Sequence, residues 1–308
     1  MAYALFWGCN IPARLPGYEK EARAVLSALG VLYSESRRFA CCGYPVRPAD
    51  RLAWLVSAAS NMAVAEKAGR DLLVLCQCCY GSFKNAAAAL AADPGLAARV
   101  NEILASQGLR YTGSCRIVNV FRMLHDEIGI DAIKEKVTRP LTGIAAASHT
   151  GCHSLRPSRV TEFDDPLHPK ILDNLISALD ATSLDYPKKL ECCGAPLTGS
   201  DDALSVKIMA DKLISAKKAG AEVLVTACPW CQIQFETFGG QLEGDALPPL
   251  PYLRLLGLAM GIVQDDTGLF SERSREVAGA SDKDAGRTGV KVKNKSDTDI
   301  IDAGETNV

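Results

Sequence analysis

Ala65-Glu-Lys-Ala-Gly-Arg-Asp-Leu-Leu-Val74 is answered, at a constant offset of 151, by Ala216-Lys-Lys-Ala-Gly-Ala-Glu-Val-Leu-Val225. Each copy closes a helical pattern on a glycine stop (Gly69, Gly220) and passes into a short apolar run, Leu72 to Leu75 or Val223 to Ala227. Each run leads straight into Cys-x-x-Cys, Cys76 and Cys79 in one case, Cys228 and Cys231 in the other. Upstream lie Cys41-Cys42-Gly43 and Cys192-Cys193-Gly194, each followed by one residue and a proline, and further upstream lie Cys9 and Cys152, each preceded by a glycine. The gaps are 31 and 33 residues in the first set and 39 and 34 in the second. So many coincident positions define a duplicated unit of about 150 residues.

Within each unit the hydrophobic period alternates. Tyr3 to Trp7 and Gly143 to Ala147 read as buried strands. Tyr18 to Leu29 and Pro169 to Leu179 read as helices, as do the longer Pro48 to Ala68 and Asp201 to Ala219. Helices alternating with short apolar strands predict an α/β fold: two pseudo-symmetric α/β domains with short parallel sheets, the cysteines in loops at the carboxyl edges and at the domain interface. The expected divisions are a first cysteine-rich domain over 1–142, a second over 143–266 and a polar tail over 267–308. The 38 residues after Phe270 contain no aromatic residue and no cysteine, and their composition is that of a disordered segment. A partner-docking segment is the alternative.

Composition removes several classes. With 48% hydrophobic and 23% charged residues among 308, the chain can bury a full core, and its net charge of −2 argues against nucleic acid or an anionic membrane as the main partner. The start, apolar from the second residue, has neither the cationic segment nor the cleavage site of a secretory signal. The uncharged stretch from Pro140 to Leu155 is too short for a membrane span. A cytoplasmic protein without a direct membrane span is the expectation, and there clustered cysteines read as metal ligands or redox centres before structural bridges.

Each unit offers five cysteines, and tetrahedral zinc needs four. Zinc would leave the same position idle twice. Adjacent cysteines point to opposite sides of extended backbone, so Cys-Cys needs the turn that the following Gly and Pro supply. Such a vicinal pair suits a centre of several metal ions, which iron–sulfur clusters are. Zinc stays open as the alternative, as a staple in a non-enzymatic scaffold.

The pattern resembles the cysteine-rich domain of heterodisulfide reductase B subunits, including their heterodisulfide-reductase-like counterparts in sulfur oxidisers. The resemblance is carried by the doubled motif, by Phe6-Trp-Gly-Cys-Asn-Ile-Pro-Ala-Arg-Leu-Pro-Gly-Tyr-Glu19, by Leu75-Cys-Gln-Cys-Cys-Tyr-Gly-Ser-Phe83 and by His149-Thr-Gly-Cys-His-Ser-Leu-Arg-Pro-Ser158, and it covers about residues 1–265. It implies two noncubane [4Fe–4S] clusters, one held by Cys9, Cys41, Cys42, Cys76 and Cys79, the other by Cys152, Cys192, Cys193, Cys228 and Cys231. It further implies a disulfide cleaved or formed between them in one-electron steps. The implied partners are a smaller cubane iron–sulfur subunit (C-type), a flavoprotein subunit (A-type) and a small thiol or disulfide, or a protein-bound sulfur, as substrate. Oxidation of thiol or sulfane sulfur is the alternative direction. Electron transfer in hydroxyacid or glycerol-3-phosphate oxidation, with no sulfur substrate, is a second alternative.

Three residues are candidates for handling substrate. Arg14 and Arg156 follow the first cysteine of each half and suit anionic groups on a thiol cofactor, against the competing reading of ordinary surface arginines. His153 adjoins Cys152 and is placed to donate to a sulfur or to supply a proton, against a merely packed histidine. Trp230 reads as a hydrophobic cover. Cys78 and Cys115 belong to neither set and read as buried apolar thiols.

Overall fold

The computed structural model describes residues 2–239 and 247–268. The segment 269–308, which holds nearly all of the expected tail, lies outside the described residues. In the first half the strands are β1 (Ala2–Phe6), β2 (Leu32–Ser34), β3 (Asp71–Val74) and β4 (Ile117–Asn119). In the second they are β5 (Ala145–His149), β6 (Thr182–Leu184), β7 (Val223–Thr226) and β8 (Pro249–Pro251). Each half forms one four-stranded sheet in which every pairing is parallel, ordered β2-β1-β3-β4 and β6-β5-β7-β8. The α/β class with duplicated parallel sheets is therefore as expected. Both sheets lie in one compact unit that extends to Gln264. Asp265 begins a second unit, in which Thr267 donates its backbone N–H and its hydroxyl to the Asp265 carboxylate.

The helices follow the repeat. In the first half they are α1 (Asn10–Arg14), α2 (Pro16–Ala28), α3 (Arg51–Lys67), α4 (Gln77–Ala92), α5 (Pro94–Ala105), α6 (Val120–Arg122) and α7 (Ile130–Lys136), with a π-helical stretch Met123–Gly129 before the last. In the second they are α8 (Cys152–Leu155), α9 (Ser158–Thr161), α10 (Ile171–Ser177), α11 (Asp202–Lys218), α12 (Pro229–Gly239) and α13 (Tyr252–Ala259). The helix α3 starts where the Asp50 carboxylate accepts from the Ala53 N–H at 2.9 Å, and α11 starts where Asp201 accepts from the Leu204 N–H at 3.0 Å. These pairs are related by the same offset of 151, so the duplication extends to the capping bonds.

The strands correct one detail of the repeat. The β1–β3 register pairs Phe6 with Val74 and the β5–β7 register pairs His149 with Thr226. The offset is therefore 151 from α3 to α11 and 152 from β3 to β7, with the extra residue in the turn after Gly220. A strand buried on both faces has no alternation to betray a slip of one residue. Four further strands escaped the sequence reading. β2, β4 and β6 have only three residues each, and β8 is Pro-Leu-Pro, a composition that argues against a strand. β8 is tolerated because it is an edge strand with β7 as its sole neighbour.

In this strand order the chain reverses direction between β1 and β3, and between β5 and β7. Such a switch point opens a crevice at the carboxyl ends. Those ends carry Cys9 and Cys76 in one sheet, and Cys152 and Cys228 in the other. The two sheets are tied across the middle: α13 packs on α2 through an Arg254–Glu21 ion pair at 2.9 Å, and the Tyr80 hydroxyl donates to the Thr161 carbonyl at 2.6 Å.

Asp50→Ala and Asp201→Ala are each expected to cost about 1 kcal/mol of unfolding free energy. Because the caps stand in different halves, the double variant should show the sum, measurable by denaturant titration.

Candidate metal centre

Three segments of each half deliver its cysteines, and glycines let them converge. Gly8 and Gly151 have φ of +76° and +88°, the left-handed region. A Cβ on Gly8 would lie 3.2 Å from Cys79 Sγ, and one on Gly151 would lie 3.4 Å from Cys228 Cβ. The glycines of Cys-Cys-Gly do the same work against the long helices. Gly43 has φ +78° and a Cβ there would meet the Trp54 carbonyl oxygen at 2.9 Å; Gly194 has φ +88° and a Cβ there would collide with the Ser205 carbonyl.

The ten thiols of the two sets form one unbroken run of side-chain contacts. It goes Cys9–Cys41–Cys42–Cys79–Cys76 in the first half, crosses from Cys76 to Cys228, and continues Cys228–Cys231–Cys193–Cys192–Cys152 in the second. The run is a mirror image of itself about the Cys76–Cys228 contact. Cys42, Cys76, Cys79, Cys193, Cys228 and Cys231 are buried, Cys41, Cys152 and Cys192 are partly covered, and Cys9 is exposed.

Three thiolates are stabilised, Cys41 in the first half and Cys192 and Cys228 in the second, the last by Cys231, Cys76 and the backbone N–H groups of Cys231 and Cys78. Cys41 takes hydrogen bonds from Cys42, Cys9 and the Gly43 N–H, which pull it down to about 2. Cys192 is held at about 2 by Cys152, Cys193 and the Gly194 N–H, the last at 3.3 Å. The donors Cys9 and Cys152 are pushed up in return. A thiolate is the form of cysteine that binds metal, so both sets have the chemistry of a metal site.

Three contacts of the second half are absent from the first. His149, at the end of β5, is 2% exposed, and both ring nitrogens are buried without a partner. Its nearer nitrogen and the sulfurs of Cys193 and Cys231 lie within 4.8 Å of one another. Burial holds its pKa near 3, so the ring is neutral and keeps one N–H. A buried unpartnered imidazole costs about 1–3 kcal/mol, a cost that an acceptor between ring and thiols would remove. Lys212, also fully buried, donates to the carbonyls of Lys188 at 2.5 Å and Lys189 at 3.0 Å in the strand-to-cysteine loop. Finally, Tyr44 of the first half stands edge-on to His153 (4.6 Å between centroids) and to Trp230 (5.8 Å) of the second.

A cleft at the second set is lined by Gln77 and Cys78 from the first half and by Cys152, His153, Cys192 and Trp230, among others, from the second. His153 thus reaches the site, with its Nδ1 3.8 Å from Cys152 Sγ, and burial lowers its pKa. Trp230 lines the cleft. Arg156 is exposed and donates to the Leu190 and Pro166 carbonyls, each at 3.4 Å, while Arg14 is exposed at the end of α1. Neither arginine lines the cleft. Cys78 is buried, but it stands beside the other half: its backbone N–H donates to Cys228. Cys115 is remote, half-buried against the Met62 carbonyl at 3.7 Å, with its pKa raised to about 12 by burial.

Sequence reasoning missed His149, Lys212 and Gln77. Gln77 bridges the halves, donating to the Ala227 carbonyl at 3.4 Å and accepting from Asn119 at 2.6 Å. The missed signal lay in the repeat itself. Against Gly8 and Gly151, His149 stands where the first half has Phe6, and at offset 151 Lys212 stands where it has Asn61.

A duplicated cysteine-rich domain is what this fold and site define, and residues 3–84 and 146–236 both match the family of that description, the CCG cysteine-rich domain. The chain is 34% identical over 277 residues to the B subunit of the Ferredoxin/F(420)H(2)-dependent CoB-CoM heterodisulfide reductase of Methanosarcina acetivorans, covering 86% of this chain and 91% of that protein. It is 35% identical to the B subunit of the Ferredoxin:CoB-CoM heterodisulfide reductase of Methanosarcina mazei, with the same coverage of 86% and 91%. The chain belongs to the family of heterodisulfide reductase B subunits. It is also 30% identical to the 8-methylmenaquinol:fumarate reductase membrane anchor subunit of Wolinella succinogenes over 87% of this chain and 95% of that one. A crystal structure of a hypothetical protein from Helicobacter pylori shares the fold with a TM-score of 0.66 and 17% identity, over 88% of this chain and 51% of that one. Family membership makes the chain an iron–sulfur redox subunit. Among the described residues no helix is long and apolar enough to cross a membrane.

Gly81 in α4 is the point of closest approach to α8, where a Cβ would collide with the His153 carbonyl. Gly81→Ala is expected to cost about 1–3 kcal/mol by overpacking this junction, with the loss read as a lower unfolding midpoint in calorimetry.

Proposed function

We propose that the chain is the sulfur-active subunit of a heterodisulfide-reductase-type complex, in which Cys9, Cys41, Cys42, Cys76 and Cys79 hold one noncubane [4Fe–4S] cluster and Cys152, Cys192, Cys193, Cys228 and Cys231 hold the other. The observation that carries this reading is the mirror-symmetric run of ten thiols, which divides at Cys76–Cys228 into two sets of five. The residues fit the group: three stabilised thiolates, glycines that leave room beside Cys79 and Cys228, and an orphaned imidazole beside Cys193 and Cys231. The domain division at 142/143, with the tail from 267, belongs to the same reading.

Reductive cleavage of a disulfide consumes two electrons and two protons and gives two thiols. When bound, the clusters supply one-electron chemistry, and a duplicated site matches the two-electron requirement of a nearly symmetric S–S bond. The chain's own residues shape where this happens. Trp230, Tyr44 and His153 form an aromatic wall that excludes water from the cleft. The neutral His153 ring, kept so by burial, carries one N–H to orient a sulfur in the cleft. Arg14, exposed at the end of α1, would meet an anionic group of a substrate that extends beyond the cleft, whereas Arg156 steadies the loop before Cys192 through the Leu190 carbonyl. The names of the relatives, as parts of multi-subunit reductases, support partner subunits, here a cubane iron–sulfur protein and a flavoprotein that pass electrons to the chain. The same site run in reverse oxidises thiol or sulfane sulfur.

A second reading is supported by the Wolinella relative, whose name carries no sulfur substrate. On that reading the cysteine sets relay electrons only.

Anaerobically prepared protein should hold about eight irons, and Cys41→Ala or Cys193→Ala should each reduce this to about four and abolish turnover. Titrating the oxidised protein with small thiols should change its electron paramagnetic resonance signal. A spectrum indifferent to every thiol favours the relay, and zinc in place of iron sinks both readings.

A further inference from the structure

The two cysteine sets are alike, but their surroundings are not. Phe6 and His149 occupy the same place in β1 and β5, each edge-on to a phenylalanine: Phe6 to Phe83 at 4.9 Å, His149 to Phe235 at 5.3 Å. The ring position is thus preserved while its chemistry changes from hydrocarbon to hydrogen-bond donor. At the other matched position, Asn61 accepts from the Ala40 N–H at 2.8 Å and donates to the Cys41 carbonyl at 3.2 Å. Its counterpart Lys212 ties down the equivalent loop through the Lys188 and Lys189 carbonyls, but brings an ammonium. Burial lowers that amine to about 8; as an ammonium it faces the ring of Tyr186 at 5.3 Å and interacts with Cys231, Cys193, the Glu191 carboxylate, Cys192 and His149. Both substitutions act in one direction. Every polar atom of the Asn61 side chain is spent on backbone, and Phe6 offers no polar atom. His149 has two unspent nitrogens, and one of them lies within 4.8 Å of Cys193 and Cys231.

Hydrogen bonds to cluster sulfur and nearby positive charge both stabilise the more negative, reduced form of an iron–sulfur centre, so both raise its reduction potential. We propose that His149 donates a hydrogen bond to sulfur of the centre held by the second cysteine set and, with the Lys212 cation behind it, sets that centre at a higher potential than the first. The inference rests on the reading above that each set holds an iron–sulfur cluster. Its consequence is an order of filling. An electron entering the chain settles on the second centre, the one beside the cleft, and the first centre is reduced only by the next electron. His149 is a positioning and tuning residue on this account, not an iron ligand.

The test uses the full-length chain, loaded with iron and sulfide under anaerobic conditions and titrated electrochemically while its paramagnetic signals are recorded. Cys41→Ala, which retains only the second centre, assigns the signals. In the unaltered chain the second centre should titrate at the higher potential. His149→Phe, which installs the residue of the first half, should keep about eight irons and move the second centre downward, leaving the first in place. His149→Gln keeps a donor and should recover part of the shift, which a merely space-filling role would not do. An iron-replete His149→Phe chain with unmoved potentials overturns the proposal alone. Loss of half the iron also overturns it, because His149 would then be a ligand. An unaltered chain that takes up no cluster overturns the underlying reading and the proposal with it.

Discussion

Cys76 and Cys228 meet side chain to side chain where the carboxyl ends of β3 and β7 face each other, and this contact constrains the rest of the molecule. Two buried thiols can be held there only if both sheets bring their switch points to the same place. That requirement accounts for the ties across the middle. Gln77 reaches the Ala227 carbonyl, the Cys78 N–H reaches Cys228, and Tyr80 reaches the Thr161 carbonyl, all from the first turn of α4. A helix that begins at a metal-binding loop and ends in ordinary alanine-rich packing is therefore the joint of the two halves. Gly81, one residue further on, has no side chain because the backbone of α8 occupies that space.

The same constraint separates what was legible in the sequence from what was not. Glycines and cysteines whose places are fixed by backbone geometry recur in the same order in both halves, so the duplication, the parallel sheets and the two matching cysteine sets could be read directly. The left-handed φ of Gly43 and Gly194 and the closeness of the Trp54 and Ser205 carbonyls are local requirements, met the same way twice. The three-residue strands were not legible because strands that short carry no period, and β8 was hidden by its two prolines. His149 was hidden for a different reason. A histidine three residues before a cysteine has no meaning until burial and the missing partner are known, and those depend on Cys193 and Cys231, more than 40 residues away in sequence.

Arg156 shows the opposite failure. Its repetition after each first cysteine suggested a substrate contact, yet its guanidinium is engaged with the Leu190 and Pro166 carbonyls. Position in a repeat identifies a shared place in the fold, but the side chain's own partners decide its use. Cys78 is the clearer case. It occupies the place of Trp230, between the two cysteines of its motif, and both residues line the one cleft at the second set, so the same place in the repeat supplies a thiol from one half and an indole from the other.

Duplication followed by change at such positions gives two cysteine sets that are arranged alike and surrounded differently. The ten cysteines are common to both halves, five to each. The neighbours are not, and those that differ are concentrated on one side: Tyr44, His153 and Trp230 cover the second set, His149 and Lys212 lie behind it, and Cys9 leaves the first set partly open to solvent. An open surrounding suits a centre that exchanges electrons with a partner, since it allows close approach at the protein surface. A covered surrounding with hydrogen-bond donors suits a centre that must hold an electron until a second arrives. Two equal one-electron donors would fill together, whereas two donors in unequal surroundings would fill in a fixed order.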